Sequence, residues 1–368
     1  TKCPLHPYFW YVRTTGFMCT SLIETIIMKF LIMGIICFFS VISQAQSVVN
    51  VYIWGGEIPK KVIQQFEQQT HIKVNLSTYD SNETMYAKLK ATRQNNYDVI
   101  MPSAYFVERM RKQHMLEPLE LNQLPNHRFL DKRFLNNEYD AYNQFSMPLI
   151  WGATGIFYHQ AIIKSSLTAW RQLWASTWQH QLMLLDDSRE VFAMALLSLG
   201  YNPNDDDPEH IKKAYQHLLT LVPNIKLFAS DSVQALMIDE DAMIGSAWNG
   251  DAYKAYQENS SIRFVYPEEG YVIWVDCLAM PKNPPHKKAA YQFINFLLTP
   301  SVGAAIARTE GHAITNKAGR LLLPEAMQTN PMVYPNTEVL KRGYIQRDVG
   351  ETTLNLYNQY WQKLKLAF

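Results

Sequence analysis

Between residues 48 and 114, short apolar runs alternate with segments whose apolar residues recur three and four places apart. Val48-Val-Asn-Val-Tyr-Ile53 reads as a buried strand, and Pro59 opens a helix to Gln69 with Val62, Ile63 and Phe66 on one face. Ile72-Lys-Val-Asn-Leu76 alternates as a strand does. Ser81 is a good N-cap for a helix through Met85, Leu89 and Ala91, with Glu83 in its first turn. Tyr97–Met101 reads as a strand and Ala104–His114 as a helix. This alternation predicts an α/β fold with a parallel sheet. Ligands of such sheets sit outside the carboxyl ends of the strands. Here those ends are Trp54-Gly55-Gly56-Glu57, Tyr79-Asp80 and Pro102-Ser103-Ala104-Tyr105.

The alternation lapses over residues 117–145, which are rich in Asn, Pro and charge. A long extended run follows, Met147–Tyr158, and a second comes at Tyr271–Met280. Between them lie predicted strands at 182–185, 243–248 and 262–266, and helices at about 189–199 and 208–221. Helices at 287–298 and 351–364 complete the pattern. Two long extended runs separated by such a stretch predict a discontinuous protein of two lobes.

The N-terminus is organised differently. Met28-Lys29 precedes an apolar run from Phe30 to Ile42, and Ser43-Gln44-Ala45 puts small residues at −3 and −1 of a cut after Ala45. That is the pattern of a secretory signal peptide at 28–45, with residues 1–27 as upstream extension. A membrane anchor is the alternative reading, but the run is shorter than the ~20 residues a spanning helix needs. Removing residues 1–45 takes away Lys2, Arg13, Lys29 and Glu24, leaving 31 basic against 32 acidic residues. A balance this even argues against a broad nucleic-acid-binding surface. Cys3, Cys19 and Cys37 also go, so Cys277 is left without a partner, which suits an exported periplasmic chain that relies on its core.

The sequence carries none of the dinucleotide, P-loop, zinc-protease or nucleophile-elbow motifs. Its histidines show no metal-ligand spacing, and Cys277 reads as a buried small hydrophobe. The reading is therefore not an enzyme, with no cofactor and no metal. Aromatic residues make up 13% of the chain, and three tryptophans stand at or near predicted strand ends with an acid close by. Trp54 has Glu57, Trp248 has Asp251 and Trp274 has Asp276. A lone tryptophan of this kind is usually core. Three with acids describe a cleft suited to a flexible organic cation, because indole faces attract cations and carboxylates neutralise them. Asp187 and Glu190 read equally as a helix N-terminal charge set. Asp276 interrupts an apolar run and is costly to bury unpaired.

At these residues the chain resembles the periplasmic polyamine-binding proteins of ABC importers, the spermidine/putrescine-binding family. The matching blocks are residues 77–90, Ile150-Trp-Gly-Ala-Thr154, Asp186-Asp-Ser-Arg-Glu-Val-Phe192, Trp248-Asn-Gly250, Trp274-Val-Asp276 and Ile294-Asn-Phe-Leu-Leu298. The resemblance runs from about Val51 to Leu366. It implies a type II periplasmic-binding-protein fold, two α/β lobes closing over ligand by a hinge. The expected lobes are 48–148 plus 278–314 and 149–277 plus 315–368. It also implies a ligand set of Trp54, Ser103, Tyr105, Asp187, Glu190, Trp248, Trp274, Asp276 and Gln346. The implied partners are the membrane permease and cytoplasmic ATPase of an importer.

Two positions depart from the family pattern. An acid and then Tyr usually follow the first Trp-x, but here Trp54-Gly55-Gly56-Glu57 lacks the Tyr and carries the acid one place later. The family's Gly-Tyr-Pro turn is replaced by Gly311-His312, and a protonated His312 would repel a polycation. Glu57, Asp187, Glu190 and Asp276 supply up to four negative charges, which leans to spermidine over putrescine. Related type II proteins for iron, thiamine or another small cation remain as alternatives. So do a hydrolase using Asp187 and Glu190, and a polyamine sensor without transport.

Overall fold

The computed structural model describes Thr1, residues 47–92 and residues 96–368. The signal peptide, the upstream extension, the cleavage position at Ala45 and Cys3, Cys19 and Cys37 lie outside the described residues. In chain order the first elements are β1 (Val48–Trp54), α1 (Lys60–Thr70), β2 (Lys73–Tyr79), α2 (Asn82–Ala91), β3 (Val99–Ile100), α3 (Ala104–Lys112) and β4 (Ser146–His159). Then come β5 (Leu182–Leu184), α4 (Ser188–Ser198), α5 (Pro208–Leu221), β6 (Ile225–Phe228), α6 (Val233–Ile238), β7 (Ile244–Trp248) and α7 (Asn249–Glu258). The last part carries β8 (Ile262–Val265), β9 (Tyr271–Ala279), α8 (Lys287–Leu297), α9 (Pro300–Glu310) and β10 (Ala313–Ile314). Short helices α10 (Lys317–Arg320), α11 (Glu325–Gln328) and α12 (Thr337–Leu340) precede β11 (Gly343–Ile345) and α13 (Glu351–Ala367).

The strands run β2-β1-β3-β9-β4-β7-β5-β6 across the sheet, with β8 and β10 on β4 and β11 on β9. Strand β4 is the joint. Its residues 146–153 pair with β9, while residues 154–159 pair with β7 and β8. All fourteen of its residues are buried. The chain thus forms two α/β halves sharing one strand. The predicted parallel pairing holds for β1 with β2 and β3, and for β5 with β6 and β7. The long strands differ: β9 runs antiparallel to both β3 and β4. A strand that returns from the second half enters the first sheet from the opposite direction.

Side-chain alternation fills the cores. Along β4, Ile156 and Tyr158 enter one cluster and Phe157 another; along β5, Leu182 and Leu184 face the first and Met183 the second. The first half has its own core, in which Phe66 of α1 packs edge-on against Phe293 of α8 with ring centres 5.0 Å apart. Residues 117–145 fold as a chain of single 3₁₀ turns, and Asp140 ties their end to β4. Its carboxylate accepts from the Gln144, Phe145 and Ser146 N–H groups and the Ser146 hydroxyl at 2.7–3.1 Å.

Six helices fall outside the sequence prediction. In α7 and α9 the reason is composition. Asn249–Glu258 is rich in polar residues, and the buried face of Pro300–Glu310 is largely Gly and Ala with only Val302 and Ile306 as larger apolar residues, so the apolar stripe is weak in both. The other four are short, with six residues in α6 and four in each of α10, α11 and α12. Strand β3 is shorter than predicted at both ends and stops before Pro102, which has no N–H for the ladder. Among the described residues no single helix is long and apolar enough to cross a membrane.

Candidate ligand-binding site

A cavity of about 520 Å³ opens where the strands and helix N-termini of the two halves converge. All eleven sequence-predicted residues line it: Trp54 at the end of β1 and Glu57 just after it, Ser103 and Tyr105 at the start of α3, and Asp187 and Glu190 at the start of α4. Trp248 ends β7, Trp274 and Asp276 stand on β9, His312 follows α9 and Gln346 follows β11. Trp274 is not at a strand end as predicted but in mid-strand. The indole has room because its register partner on β4 is Gly152, where a Cβ would lie 2.2 Å from Trp274 Cζ2. Gly250 plays the same part for His312, since a Cβ there would lie 2.1 Å from the ring Nδ1. These contacts give Gly152 and Gly250 their physical reason.

Asp276 is 6% exposed and is oriented by a short chain of hydrogen bonds. The Ser103 hydroxyl donates to Asp276 Oδ1 at 2.5 Å, and Asn82 Nδ2 donates to Ser103 Oγ at 3.0 Å and to Tyr105 Oη at 3.1 Å. Desolvation, followed by the nearby Glu57, raises the Asp276 carboxyl well above the ordinary range, against the Ser103 bond. Glu57 is pushed up to about 8, first by desolvation and then by Asp251 and Glu310, with Lys254 opposing. Its Oε2 lies 3.5 Å from His312 Nε2. The imidazole stands edge-on to Trp274, with ring centres 5.4 Å apart and planes at 82°. Desolvation lowers the His312 pKa despite Asp251 and Glu310, so the ring is neutral at pH 7.

The second acidic pair sits at the α4 N-terminus. Asp187 caps the helix, its Oδ1 accepting from the Arg189 and Glu190 N–H groups at 2.8 and 3.1 Å. Capping and lining are thus joint properties of one side chain. Desolvation raises Asp187, and the two N–H groups oppose it. Glu190 is pushed up to about 8 by desolvation and then by Asp187. Gln346 Nε2 donates to Glu190 Oε1 at 3.5 Å.

Buried polar atoms ordinarily have partners. Among the described residues, nine buried side-chain nitrogens and oxygens have none. Six of these belong to cavity residues: Trp54 Nε1, Glu57 Oε2, Glu190 Oε2, Ser230 Oγ, Trp274 Nε1 and His312 Nδ1. Such a lining offers acceptors and donors to an incoming polar solute. The cavity also includes Tyr79, Asp80, Asn82, Thr84, Ser230 and Asp231, which were not among the candidates. Tyr79-Asp80 was legible as a strand end. Ser230 and Asp231 follow β6, whose four residues alternate too briefly to be recognised. No group of three or more His, Cys, Asp or Glu among the described residues is placed to hold a metal ion. Cys277 lies buried in β9, away from the cavity, its thiol pushed up by desolvation.

Two α/β halves joined through a shared strand, with an acid- and indole-lined cleft at their converging ends, define a solute receptor of the type II periplasmic-binding-protein fold. The model of the bacterial extracellular solute-binding protein family matches residues 61–333, and the chain belongs to that family. It is 42% identical over 315 residues to the spermidine/putrescine-binding periplasmic protein of Escherichia coli K12, covering 85% of this chain and 90% of that one. It is 38% identical over 325 residues to spermidine/putrescine-binding periplasmic protein 1 of Haemophilus influenzae, covering 88% and 90%. Among solved structures, a putative spermidine/putrescine ABC transporter from Listeria monocytogenes matches with a TM-score of 0.85 at 32% identity, covering 88% of this chain and 100% of that one.

Proposed function

We propose that the chain captures a polyamine in the periplasm and delivers it to an ABC importer of the inner membrane. Spermidine is favoured and putrescine is the second candidate. The observation that carries this reading is the pairing of two carboxylate groups, Glu57 with Asp276 and Asp187 with Glu190, in one cavity with the indoles of Trp54, Trp248 and Trp274. Carboxylates take the ammonium groups, and indole faces take the methylenes between them. The names of the relatives point the same way.

Capture here is binding, not catalysis. The ammonium groups exchange hydration water for carboxylates, and closing of the halves desolvates the pairs. The lobes of this reading are 48–148 with 278–314 and 149–277 with 315–368. Because Leu323, Met327, Val333 and Tyr334 pack in the core of the first half, we place 315–334 with the first lobe. Only the relative position of the lobes reports occupancy to a permease and its cytoplasmic ATPase. Export uses the signal peptide at 28–45.

Isothermal titration calorimetry with spermidine, putrescine, cadaverine, spermine and thiamine tests the reading. Micromolar or tighter binding of a polyamine is expected, weakened at least tenfold by Asp276→Asn, which is about 1.4 kcal/mol. No heat with any polyamine from folded, ligand-free protein overturns it.

A further inference from the structure

The chain beyond Gln346 leads from the cavity into a set of charges that solute capture does not use. Glu108 and Arg109 lie on α3, one turn past Tyr105, and are only 3% and 5% exposed. Arg347 grips Glu108 with two bonds, Nε to Oε2 at 3.0 Å and Nη2 to Oε1 at 3.2 Å. The Asp348 N–H donates to the same carboxylate at 3.1 Å. Arg109 returns the contact, its Nε and Nη2 donating to Asp348 Oδ1 at 3.0 and 2.7 Å. Lys112 borders both acids, 3.0 Å from Glu108 and 3.5 Å from Asp348. Neighbours on the helix therefore meet neighbours on the strap in crossed pairs. Desolvation works against the Glu108 charge, yet Arg347, the Asp348 N–H and Lys112 hold its pKa below the usual value.

The other side of the strap belongs to the second half. Asn204 donates to the Ile345 carbonyl and accepts from the Arg347 N–H, both at 2.9 Å. Arg189 of α4 donates to the Arg347 carbonyl at 3.3 Å. Its guanidinium lies between Tyr105 of the first half and Tyr357 of α13, 5.3 and 5.4 Å from the ring centres. Residues 345–348 thus pass from β11, paired with β9 of the first half, to α13 in the core of the second, with bonds to both halves, and Gln346 within them faces Glu190 in the cleft.

We propose that Gln346-Arg347-Asp348 is a strap that latches the two halves across the cleft, its crossed ion pairs setting how long a captured solute is held. Arg109, Glu108, Arg347 and Asp348 are positioning residues; none of them lines the cavity. When the halves part, these charges regain water, so each intact pair contributes only modestly. Removing one partner instead leaves its counter-charge buried and alone in the closed form. Because the latch is made whenever the halves close, it acts on release more than on encounter and also draws the ligand-free halves toward the closed form.

The inference rests on the polyamine reading for its probe. Stopped-flow tryptophan fluorescence with spermidine would follow wild type, Asp348→Asn, Arg347→Gln and the charge swap Arg109→Asp/Asp348→Arg. Arg347 is half-exposed, so its variant keeps the test open if the Asp348 variant does not fold. At least tenfold faster release in the single variants, association within threefold of wild type and recovery in the swap are expected. Release unchanged in the single variants, or a swap that releases as fast as they do, overturns the latch. If wild type binds no spermidine, the polyamine reading fails and small-angle scattering of the ligand-free proteins decides. A larger radius of gyration in Arg347→Gln than in wild type supports the latch, and superimposable profiles overturn it.

Discussion

The acids of the cleft imply that capture releases protons. Glu57 and Glu190 both carry pKa values of about 8 in the ligand-free protein, raised chiefly by desolvation. At pH 7 each is mostly protonated, and an ammonium group bound beside it requires the carboxylate. The cost is about 1.4 kcal/mol for each pH unit below the pKa. Each carboxyl that ionises on binding should therefore weaken affinity roughly fifty-fold between pH 8 and pH 6. His312 stays neutral over most of that range because its own pKa is lowered by desolvation. Putrescine is the suitable probe, since its two ammonium groups titrate near the lysine value of ~10 and stay charged. Calorimetry at pH 6, 7 and 8, in phosphate and in Tris, reads both the affinity and the protons released. We expect one to two protons released at pH 7, reduced by about one in Glu57→Gln. Affinities equal within threefold across the range, with heats independent of buffer, would refute the reasoning.

The same two groups affect stability with the opposite trend. Their folded pKa values lie above the unfolded ones, so their contribution is complete below about pH 4.5 and is lost as pH rises through about 8. Melting of the ligand-free chain should thus fall from pH 5 to pH 8, while the upward shift given by putrescine should grow; differential scanning calorimetry checks both. Gly250→Ala forces the His312 ring aside, because the new Cβ would lie 2.1 Å from Nδ1. Binding should weaken about tenfold, roughly 1.4 kcal/mol, and return in Gly250→Ala/His312→Ala, whereas an unaffected single variant contradicts that contact. Asp140→Ala strips four donors of their acceptor at the entry to β4 and should cost about 3 kcal/mol in urea unfolding at unchanged ligand stoichiometry. A loss under 1 kcal/mol would show that those groups find water instead.

Much of this molecule was legible where apolar pattern and chemistry coincide. The strand ends after β1 and β2, the long runs that became β4 and β9, and the cap at Ser81 are local properties. Ser81 Oγ does accept from the Thr84 N–H, at 3.2 Å. The candidate residues all reach one cavity, although Trp274 does so from mid-strand through the space left by Gly152. What sequence could not supply depends on contacts distant along the chain. Asn82 became part of the site only because α2 packs its amide against Ser103 and Tyr105. Helices α7 and α9 bury mainly small residues, Gly250, Ala252 and Ala255 in one and Gly303, Ala304 and Ala307 in the other, which leave a weak periodic signature. The Glu57–His312 approach at 3.5 Å joins residues from opposite ends of the chain, whose separate departures from the family pattern gave no hint of contact.

The structure of the chain crystallised with spermidine tests the central claim most directly. The account predicts one molecule in the cleft, its methylenes against the indoles of Trp248 and Trp274. Its ammonium groups should lie within hydrogen-bond reach of Asp276 and of the Asp187–Glu190 pair. Spermidine confined to the surface, or a cleft without it at saturating concentration, would contradict the account.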